Sequence, residues 1–271
     1  MTIIERLQQH KDLQPYKIAL IVDEEQYTYG QLYDAIISME FNNTSRIINL
    51  GQFNDGQKNK VLLTQSLSFV EQLLQWFWGL YKGYIPMVCH NEMDVAYIDE
   101  LARIISVEGV PTSADFGVLT SGTTGRPKPL WRSESSWREF FDIQNNIFYI
   151  NKDTKIFLHG SFSFTGVSNM VVAVLWSGGT VITTSSLRPI RWIQLIDKYH
   201  VDHIYALPTK LRLLVRHCKS KLDSISYIIG GSQVLDRQLM EQLELICPNM
   251  EFILYYGATE LNYITHCTGK E

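Results

Sequence analysis

Short apolar runs alternate with longer stretches of helical periodicity along this chain of 271 residues. Runs of four or five apolar residues between polar ones predict buried strands. We predict such strands over residues 18–22, 61–64, 84–88, 116–120, 155–159, 181–184, 203–206, 227–229 and 252–256. Because strands and helices alternate, the fold class predicted is α/β, with mostly parallel sheets flanked by helices.

The clearest helical pattern is the segment SFVEQLLQWFWGLYKG. Its apolar side chains recur at helical spacing, at Phe69, Leu73, Leu74, Phe77, Leu80 and Tyr81. Ser68 and Glu71 have the spacing of a capping box, and Gly83 stands where a helix ends in glycine. Pro189 and Pro208 each predict the first position of a further helix.

The composition narrows the class of protein. Hydrophobic residues make up 45% of the chain and charged residues 19%, which is typical of a globular protein with a real core. The net charge of -4 gives no global reason to expect nucleic acid or an anionic membrane as a partner. The polar opening MTIIERLQQHKDLQPYK predicts no secretory leader, and no apolar run approaches the ~20 residues of a membrane span. Four cysteines without CxxC spacing favour a reducing, cytoplasmic setting.

The segment LTSGTTGRPKPLWR, residues 119–132, carries the strongest chemical signal. A glycine-rich turn after a strand exposes backbone N–H groups that can surround an anion, while hydroxyls add donors and Lys128 adds charge. The Walker A spacing is absent, because Gly122 and Gly125 are too close and Pro127 precedes the lysine. The segment therefore predicts a phosphate-binding loop of another type, with an ordinary surface turn as the alternative.

TSGTTGRPK resembles the phosphate loop of the adenylate-forming superfamily, which includes acyl-CoA synthetases, firefly luciferase and the adenylation domains of peptide synthetases. YYGATE, residues 255–260, resembles the aromatic-Gly-x-Thr-Glu element of the same superfamily. Weaker similarities are IIGGSQVLDRQLMEQL, a glycine turn along adenine, and YALPTKLRLL, YTYGQL and GLYKGYIPM. The resemblance runs in order from near residue 15 to Glu260.

The resemblance implies a role for each matching residue. The β- and γ-phosphates of ATP would be held by Thr120, Ser121, Gly122, Thr123, Thr124, Gly125 and Lys128. The adenine would contact Gly230, Gly231, Ser232 and Tyr256, and Gly257 and Ala258 would also belong to the ATP-binding site. Thr259 would reach the α-phosphate and Glu260 would hold Mg²⁺, so that Lys128, Thr259 and Glu260 are the implied catalytic residues. Carboxylate and phosphate oxygens are the ligands that Mg²⁺ prefers.

The acid side is represented by SFSFTGVSNMVVAVLWSGG. Phe164 occupies the position at which the superfamily carries a His or an aromatic residue bordering the substrate carboxylate, although core packing is the alternative for this side chain. Members that activate amino acids usually have an aspartate next, which binds the α-ammonium; here the residue is Thr165. We therefore expect a fatty or aryl acid, in a substrate pocket formed by Phe164, Thr165, Gly166 and Ser168, of which Gly166 and Ser168 line the acyl chain.

Residues 1–271 are expected to form the large N-terminal AMP-binding domain of such an enzyme, incomplete at its C-terminal end, because the chain ends eleven residues after Glu260. The superfamily continues with an aspartate for the ribose, a hinge and a small C-terminal domain with a catalytic lysine and part of the coenzyme A channel. Lys270 does not match that lysine. We expect a fragment of a ligase that forms an acyl-adenylate and then an acyl-CoA. A partner supplying the missing domain, or an adenine-nucleotide-binding module without ligase activity, remain alternatives.

Other patterns favour structure over chemistry. HVDH, residues 200–203, lies at a predicted helix-to-strand junction without further metal ligands. Trp131, Trp137 and Phe140 are predicted on the apolar face of a helix after the phosphate loop. The asparagine-rich residues 40–60 predict a helix end and an exposed loop.

Overall fold

The computed structural model of this chain describes residues 1–40, 45–50, 60–120, 127–231, 233 and 235–268. The helices in these ranges are α1 (Ile3–Leu13), α2 (Tyr29–Ser38), α3 (Phe69–Tyr81), α4 (Val95–Glu108), α5 (Ser135–Ile147), α6 (Thr165–Ser177), α7 (Pro189–Tyr199), α8 (Pro208–His217) and α9 (Arg237–Ile246). The strands are β1 (Ile18–Val22), β2 (Glu25–Thr28), β3 (Ser45–Asn49), β4 (Lys60–Thr64), β5 (Ile85–Val88), β6 (Phe116–Leu119), β7 (Pro129–Arg132), β8 (Lys155–Leu158), β9 (Thr180–Thr183), β10 (His203–Tyr205), β11 (Tyr227–Gly231), β12 (Glu251–Ala258) and β13 (Asn262–Thr268).

The chain divides into two compact units, each with a sheet of its own. The first unit comprises Met1–Lys17, Tyr29–Phe140 and Ser161–Asn169. The second unit comprises Ile18–Thr28, Phe141–Gly160 and Met170–Glu271.

The sheet of the first unit has the strand order β3-β4-β5-β6-β7. Its central strands β4, β5 and β6 run parallel, while β3 and β7 are antiparallel to their neighbours. An aromatic cluster supports this sheet, in which Trp137 packs edge-on against Phe116 and stacks on Trp76. These three rings are almost completely buried. Their burial contributes strongly to the stability of this unit, because large aromatic side chains remove the most apolar surface from water.

The sheet of the second unit has the strand order β13-β12-β11-β10-β8-β9-β1-β2. The six strands from β12 to β1 are parallel, and the outermost strands β13 and β2 pair antiparallel. Helices α7, α8 and α9 contribute buried residues such as Leu195, Leu211 and Leu243 to a hydrophobic core that they share with this sheet. The carboxyl ends of parallel strands meet along one edge, which is where open α/β sheets bind their ligands.

The predicted fold class is confirmed, and each of the nine predicted strands forms with its ends within two residues of the prediction. Strands β2, β3, β7 and β13 were not predicted. The loop expected over residues 40–60 is wrong in part, because β3 lies within it. The helix expected to carry Trp131 is also wrong for that residue, which lies on β7, whereas Trp137 and Phe140 do lie on α5.

The helices α3, α7 and α8 begin at the residues predicted from the sequence. Ser68 caps α3 by accepting the Glu71 N–H, but the Glu71 carboxylate accepts from the Ser66 hydroxyl, so the capping box is only half formed. Pro189 and Pro208 are the first residues of α7 and α8. Across the described residues, none of the helices has both the length and the apolar character needed to cross a membrane.

Candidate functional site

The two described ends of the predicted phosphate loop are joined to each other. Strands β6 and β7 pair antiparallel up to Leu119 and Pro129, and the next residues, Thr120 and Lys128, extend the pairing. The Thr120 N–H donates to the Lys128 carbonyl at 3.0 Å, and the Lys128 N–H donates to Thr120 Oγ1 at 3.2 Å. The predicted phosphate ligands between them, Ser121, Gly122, Thr123, Thr124 and Gly125, lie outside the described residues.

A tyrosine of α4 holds the C-terminal end of this loop. The Tyr97 hydroxyl donates to the Pro127 carbonyl, and the Tyr97 N–H donates to the Asp94 carboxylate that caps α4. Pro127 is therefore held by a hydrogen bond from α4 and lies two residues before β7. A phosphate cradle needs such anchoring, because its donors must be in position before the anion arrives.

Phe164 lies directly before α6 and is 46% exposed. Its carbonyl accepts the Ser168 N–H at 3.0 Å, so it occupies the position before the first helical turn. Its ring stacks on His90 at a centroid distance of 4.7 Å and an interplanar angle of 28°. The core-packing alternative for Phe164 is therefore wrong, because nearly half of the side chain reaches solvent.

The three other predicted pocket residues form the first turn of α6. Thr165 is the first helical residue, and its hydroxyl oxygen is buried with no hydrogen-bond partner among the described residues. The Ser168 hydroxyl donates to the carbonyls of Phe164 and Thr165 and is thus used within the helix. Gly166, between them, is half-buried.

A buried polar network next to Phe164 was missed by the sequence analysis. Gln72 of α3 accepts the Ser161 hydroxyl and the Phe162 N–H, both at 2.9 Å. The Ser161 and Ser163 hydroxyl oxygens lie 2.8 Å apart, and Ser163 Oγ lies 2.9 Å from His90 Nδ1. The available signal was a glutamine on the apolar side of a predicted helix, since buried amides usually have specific partners.

Gly230 and Gly231 are the last two residues of β11, where they pair with Leu254 and Tyr255 of β12. A Cβ atom on Gly230 would lie 2.7 Å from the Phe252 ring, and one on Gly231 would lie 2.7 Å from the Tyr255 ring. The expected glycine turn is thus wrong for these two residues, which lie on a strand. Glycine is required there because the aromatic rings of β12 occupy the space of a side chain. Ser232, the third predicted residue, lies outside the described residues.

The YYGATE segment is the end of β12 and the turn that follows. The Tyr255 hydroxyl lies 2.9 Å from the Tyr205 hydroxyl, and burial raises the pKa of both phenols. Tyr256 points to the opposite face, as strand alternation requires, and is 62% exposed. A largely exposed ring at this position can stack on a flat heterocycle.

The remaining predicted residues of this segment follow the strand into the hairpin. Gly257 and Ala258 end β12, and Thr259 and Glu260 form the turn to β13. Glu260 is exposed. Among the described residues there is no group of three or more His, Cys, Asp or Glu side chains arranged to hold a metal ion. One exposed carboxylate fits Mg²⁺, which usually takes one or two protein carboxylates and fills its other positions with phosphate oxygens and water.

A surface depression of about 580 Å³ in the second unit does not include a predicted site residue. Arg188, Arg191 and His217 line it. Arg191 forms an ion pair with Glu24 at 2.5 Å, so one of its two arginines is already neutralised. The predicted segments differ from this depression in that they carry an exposed aromatic ring, Tyr256, and a lysine, Lys128, beside the Thr120 hydroxyl.

A family model described as AMP-binding enzyme matches residues 110–271. The chain belongs to this family. The match includes both segments on which the resemblance to adenylate-forming enzymes rests.

The first curated relatives are acyl-CoA ligases by name. VraA of Staphylococcus epidermidis, assigned as a long chain fatty acid-CoA ligase, is 23% identical over 97% of this chain and 60% of its own length. The uncharacterized acyl-CoA ligase YhfT of Bacillus subtilis is 27% identical over 56% of this chain and 32% of its own length. The chain thus spans about 60% of the length of VraA.

Solved structures confirm the fold as the N-terminal domain of adenylate-forming enzymes. O-succinylbenzoate coenzyme A synthetase from Bacillus subtilis, in complex with ATP and magnesium ion, superposes with a TM-score of 0.78 at 15% identity, covering 97% of this chain and 62% of that one. VinN in complex with L-aspartate superposes with a TM-score of 0.77 at 12% identity, covering 98% and 78%.

Proposed function

We propose that this chain binds ATP with Mg²⁺ and activates a carboxylic acid as its acyl-adenylate, for later transfer to coenzyme A. The observation that carries the proposal is the pairing of Thr120 with Lys128, which closes the segment SGTTGR between two strands in a chain of the AMP-binding family. The names of the relatives support the acyl-CoA product, and the ATP and magnesium ion in O-succinylbenzoate coenzyme A synthetase support the nucleotide.

The chemistry requires two anions to react with each other. A carboxylate oxygen attacks the α-phosphorus of ATP, the bond to the β-phosphate oxygen breaks, and pyrophosphate leaves. The Lys128 ammonium and the backbone donors of its loop stabilise the charge that develops on pyrophosphate. Thr259 donates to the α-phosphate, and Tyr256 covers the adenine. Glu260 would hold Mg²⁺, which would supply further positive charge next to the phosphates.

The acid that we propose is a fatty or aryl acid without an α-ammonium group. Thr165, and not an aspartate, follows Phe164, so the first turn of α6 offers no carboxylate to a cationic amine. The buried Thr165 hydroxyl cannot replace one, because an ammonium in a half-buried site needs a charged partner. The ring of Phe164 and the half-buried Gly166 leave an apolar wall for the acyl chain.

Removing the lysine tests the nucleotide site. In Lys128→Ala, loss of one charge-assisted contact of about 1.5–3 kcal/mol should weaken ATP–Mg²⁺ binding by roughly 10- to 100-fold in isothermal calorimetry. Lys219→Ala removes an exposed lysine from a loop of the second unit and serves as the matched control. Equal ATP affinity in Lys128→Ala and the parent chain would refute the assignment of this loop.

A pyrophosphate-release assay with fatty, aryl and amino acids separates the proposed ligase from a nucleotide-binding module. Release that depends on an added fatty or aryl acid supports the ligase. ATP binding without release, in a protein that includes any downstream sequence, would instead support the binding module.

A further inference from the structure

The polar network beside Phe164 determines which ring nitrogen of His90 carries the proton. Two backbone groups orient the Gln72 amide. The Phe162 N–H can only donate, so it contacts Gln72 Oε1, and the Ser66 carbonyl can only accept, so it contacts Gln72 Nε2. The orientation of this amide is thus set by the main chain.

The direction of each hydroxyl then follows, because a serine hydroxyl has one proton to donate. Ser161 must give its proton to Gln72 Oε1, which is an acceptor. Ser161 Oγ accepts the Ser163 N–H at 3.3 Å and has a second lone pair. The two hydroxyl oxygens lie only 2.8 Å apart, so a proton lies between them, and Ser163 supplies it because the Ser161 proton is already used. With that proton used, Ser163 Oγ can only accept, and the group that donates to it at 2.9 Å is the Nδ1–H of His90.

His90 consequently carries a proton on Nδ1. Because burial lowers the pKa of this imidazole, the ring is neutral and Nε2 keeps a lone pair. The side chain is 7% exposed, and Nε2 has no hydrogen-bond partner among the described residues. In the described part of the chain, Nε2 is not one of the fully buried polar atoms without a partner, so a donor from outside the protein can reach its lone pair. The His90 ring lies against Phe164, the residue at which we place the acid.

We propose that His90 Nε2 accepts a hydrogen bond from a hydroxyl group of the acid, and that the preferred substrate is a hydroxy acid. This inference rests on the proposed function, since Phe164 is placed at the acid by that proposal. Gln72, Ser161 and Ser163 are positioning residues, which keep the acceptor nitrogen directed away from the protein network.

The tautomer can be measured without any assay of activity. In long-range ¹H–¹⁵N spectra of protein labelled with ¹⁵N-histidine, His90 is assigned by its loss in His90→Phe, and we expect a protonated Nδ1 and a bare Nε2. Ser163→Ala removes the acceptor of the Nδ1 proton, so the other tautomer should appear. A protonated Nε2 in the parent chain would overturn the inference and leave the proposed function standing.

The ligand is tested with a matched pair, 3-hydroxyhexanoate and hexanoate. The His90 Nε2 resonance should move when 3-hydroxyhexanoate is added and not when hexanoate is added. If the resonance responds to pantetheine but to neither acid, the group that donates to Nε2 belongs to the thiol substrate and not to the acid, and the inference is overturned.

In the protein with any downstream sequence included, the ratio of kcat/KM for 3-hydroxyhexanoate over hexanoate should fall about tenfold in His90→Phe, the effect of one lost neutral hydrogen bond. The phenyl ring keeps the stack on Phe164, so a loss that is equal for both acids would indicate a packing role and contradict the proposal. His217→Phe, a histidine of the second unit, is the control and should keep the parent ratio. If neither acid supports pyrophosphate release, the proposed function fails for these acids, and the spectra still decide the inference.

Discussion

His90 and His159 occupy equivalent positions in the two sheets but have different surroundings. Each follows the carboxyl end of a parallel strand, His90 after β5 and His159 after β8. Burial is the largest cause that lowers the pKa of each imidazole, in the case of His159 to about 4. Position in the sheet therefore gives both residues a neutral ring.

The side chains contributed by the helices make the difference. Helix α3 gives His90 a chain of neutral hydrogen bonds that begins at Gln72. Helix α8 gives His159 the ammonium of Lys210, which donates to the His159 carbonyl and further lowers the pKa of the ring. His159 packs on Trp192 at 4.6 Å, and its Nδ1 is buried without a partner among the described residues. The position of each histidine is thus set by the end of a strand. Which ring nitrogen carries the proton is set by the side chains of the neighbouring helix.

The largest effect is expected from breaking the network of His90. Gln72→Leu has a similar volume but leaves the Phe162 N–H and the Ser161 hydroxyl without their acceptor in a buried place. Unsatisfied buried groups of this kind cost about 1–3 kcal/mol each, so the free energy of unfolding should fall by about 2–4 kcal/mol. Urea unfolding of the parent and variant chains measures this.

Gln8→Leu is the control for that substitution, because Gln8 is an exposed residue of α1. It should change the free energy of unfolding by less than about 0.5 kcal/mol. An equally small change in Gln72→Leu would mean that the Gln72 amide is not required for stability. It would also remove the support for a network that fixes the proton of His90 on Nδ1.

The sequence predicted the interior of both sheets well and the edges poorly. The four unpredicted strands, β2, β3, β7 and β13, are the outermost strands of the two described sheets, and all four pair antiparallel. Interior parallel strands are covered on both faces and are apolar throughout, so a short apolar run reveals them. Edge strands such as β2, EQYT, are largely exposed and carry polar residues, so their pairing depends on the neighbouring strand.

Prediction of the candidate site was limited in the same way. Motifs identified the contiguous segments that include Lys128 and Glu260, because their chemistry lies in consecutive residues. The network that links Gln72 to His90 joins residues that are distant in sequence. His90 and Ser163, for example, are 73 residues apart, and no local sequence pattern indicates such a contact. The role of Gly230 likewise depends on Phe252 of the neighbouring strand, which only the fold reveals.

An intermediate effect is expected from pH, through His159. Its pKa is about 4 in the folded chain and about 6.5 when unfolded, so between these values the unfolded state binds more protons and stability rises with pH. After allowance for its partial exposure, we expect this group to account for about 1–2 kcal/mol gained between pH 4 and pH 6.5.

His159→Phe keeps an aromatic ring against Trp192 and removes the titrating group. Denaturant unfolding at several pH values should therefore give a flatter pH profile for this variant than for the parent chain. His90 remains in both proteins, and its own lowered pKa cancels in the comparison. Parallel profiles for the two proteins would contradict the assignment of this pH dependence to His159.

The smallest effect is expected from Lys210→Met, which tests the charge near His159 and leaves its burial in place. Lys210 is half-buried, burial lowers its pKa, and the described residues include no carboxylate in an ion pair with it. Replacing the ammonium by an apolar group of similar length should raise the pKa of His159, because a like charge disfavours protonation of the ring. The pKa should remain below the ordinary value, since burial is the larger cause. An NMR titration of the His159 ring protons measures the shift, with Lys219→Met as the control for an exposed lysine. If the pKa of His159 stays unchanged in Lys210→Met, burial alone explains its neutral state, and the two histidines then differ only in whether a hydrogen-bond network directs the proton.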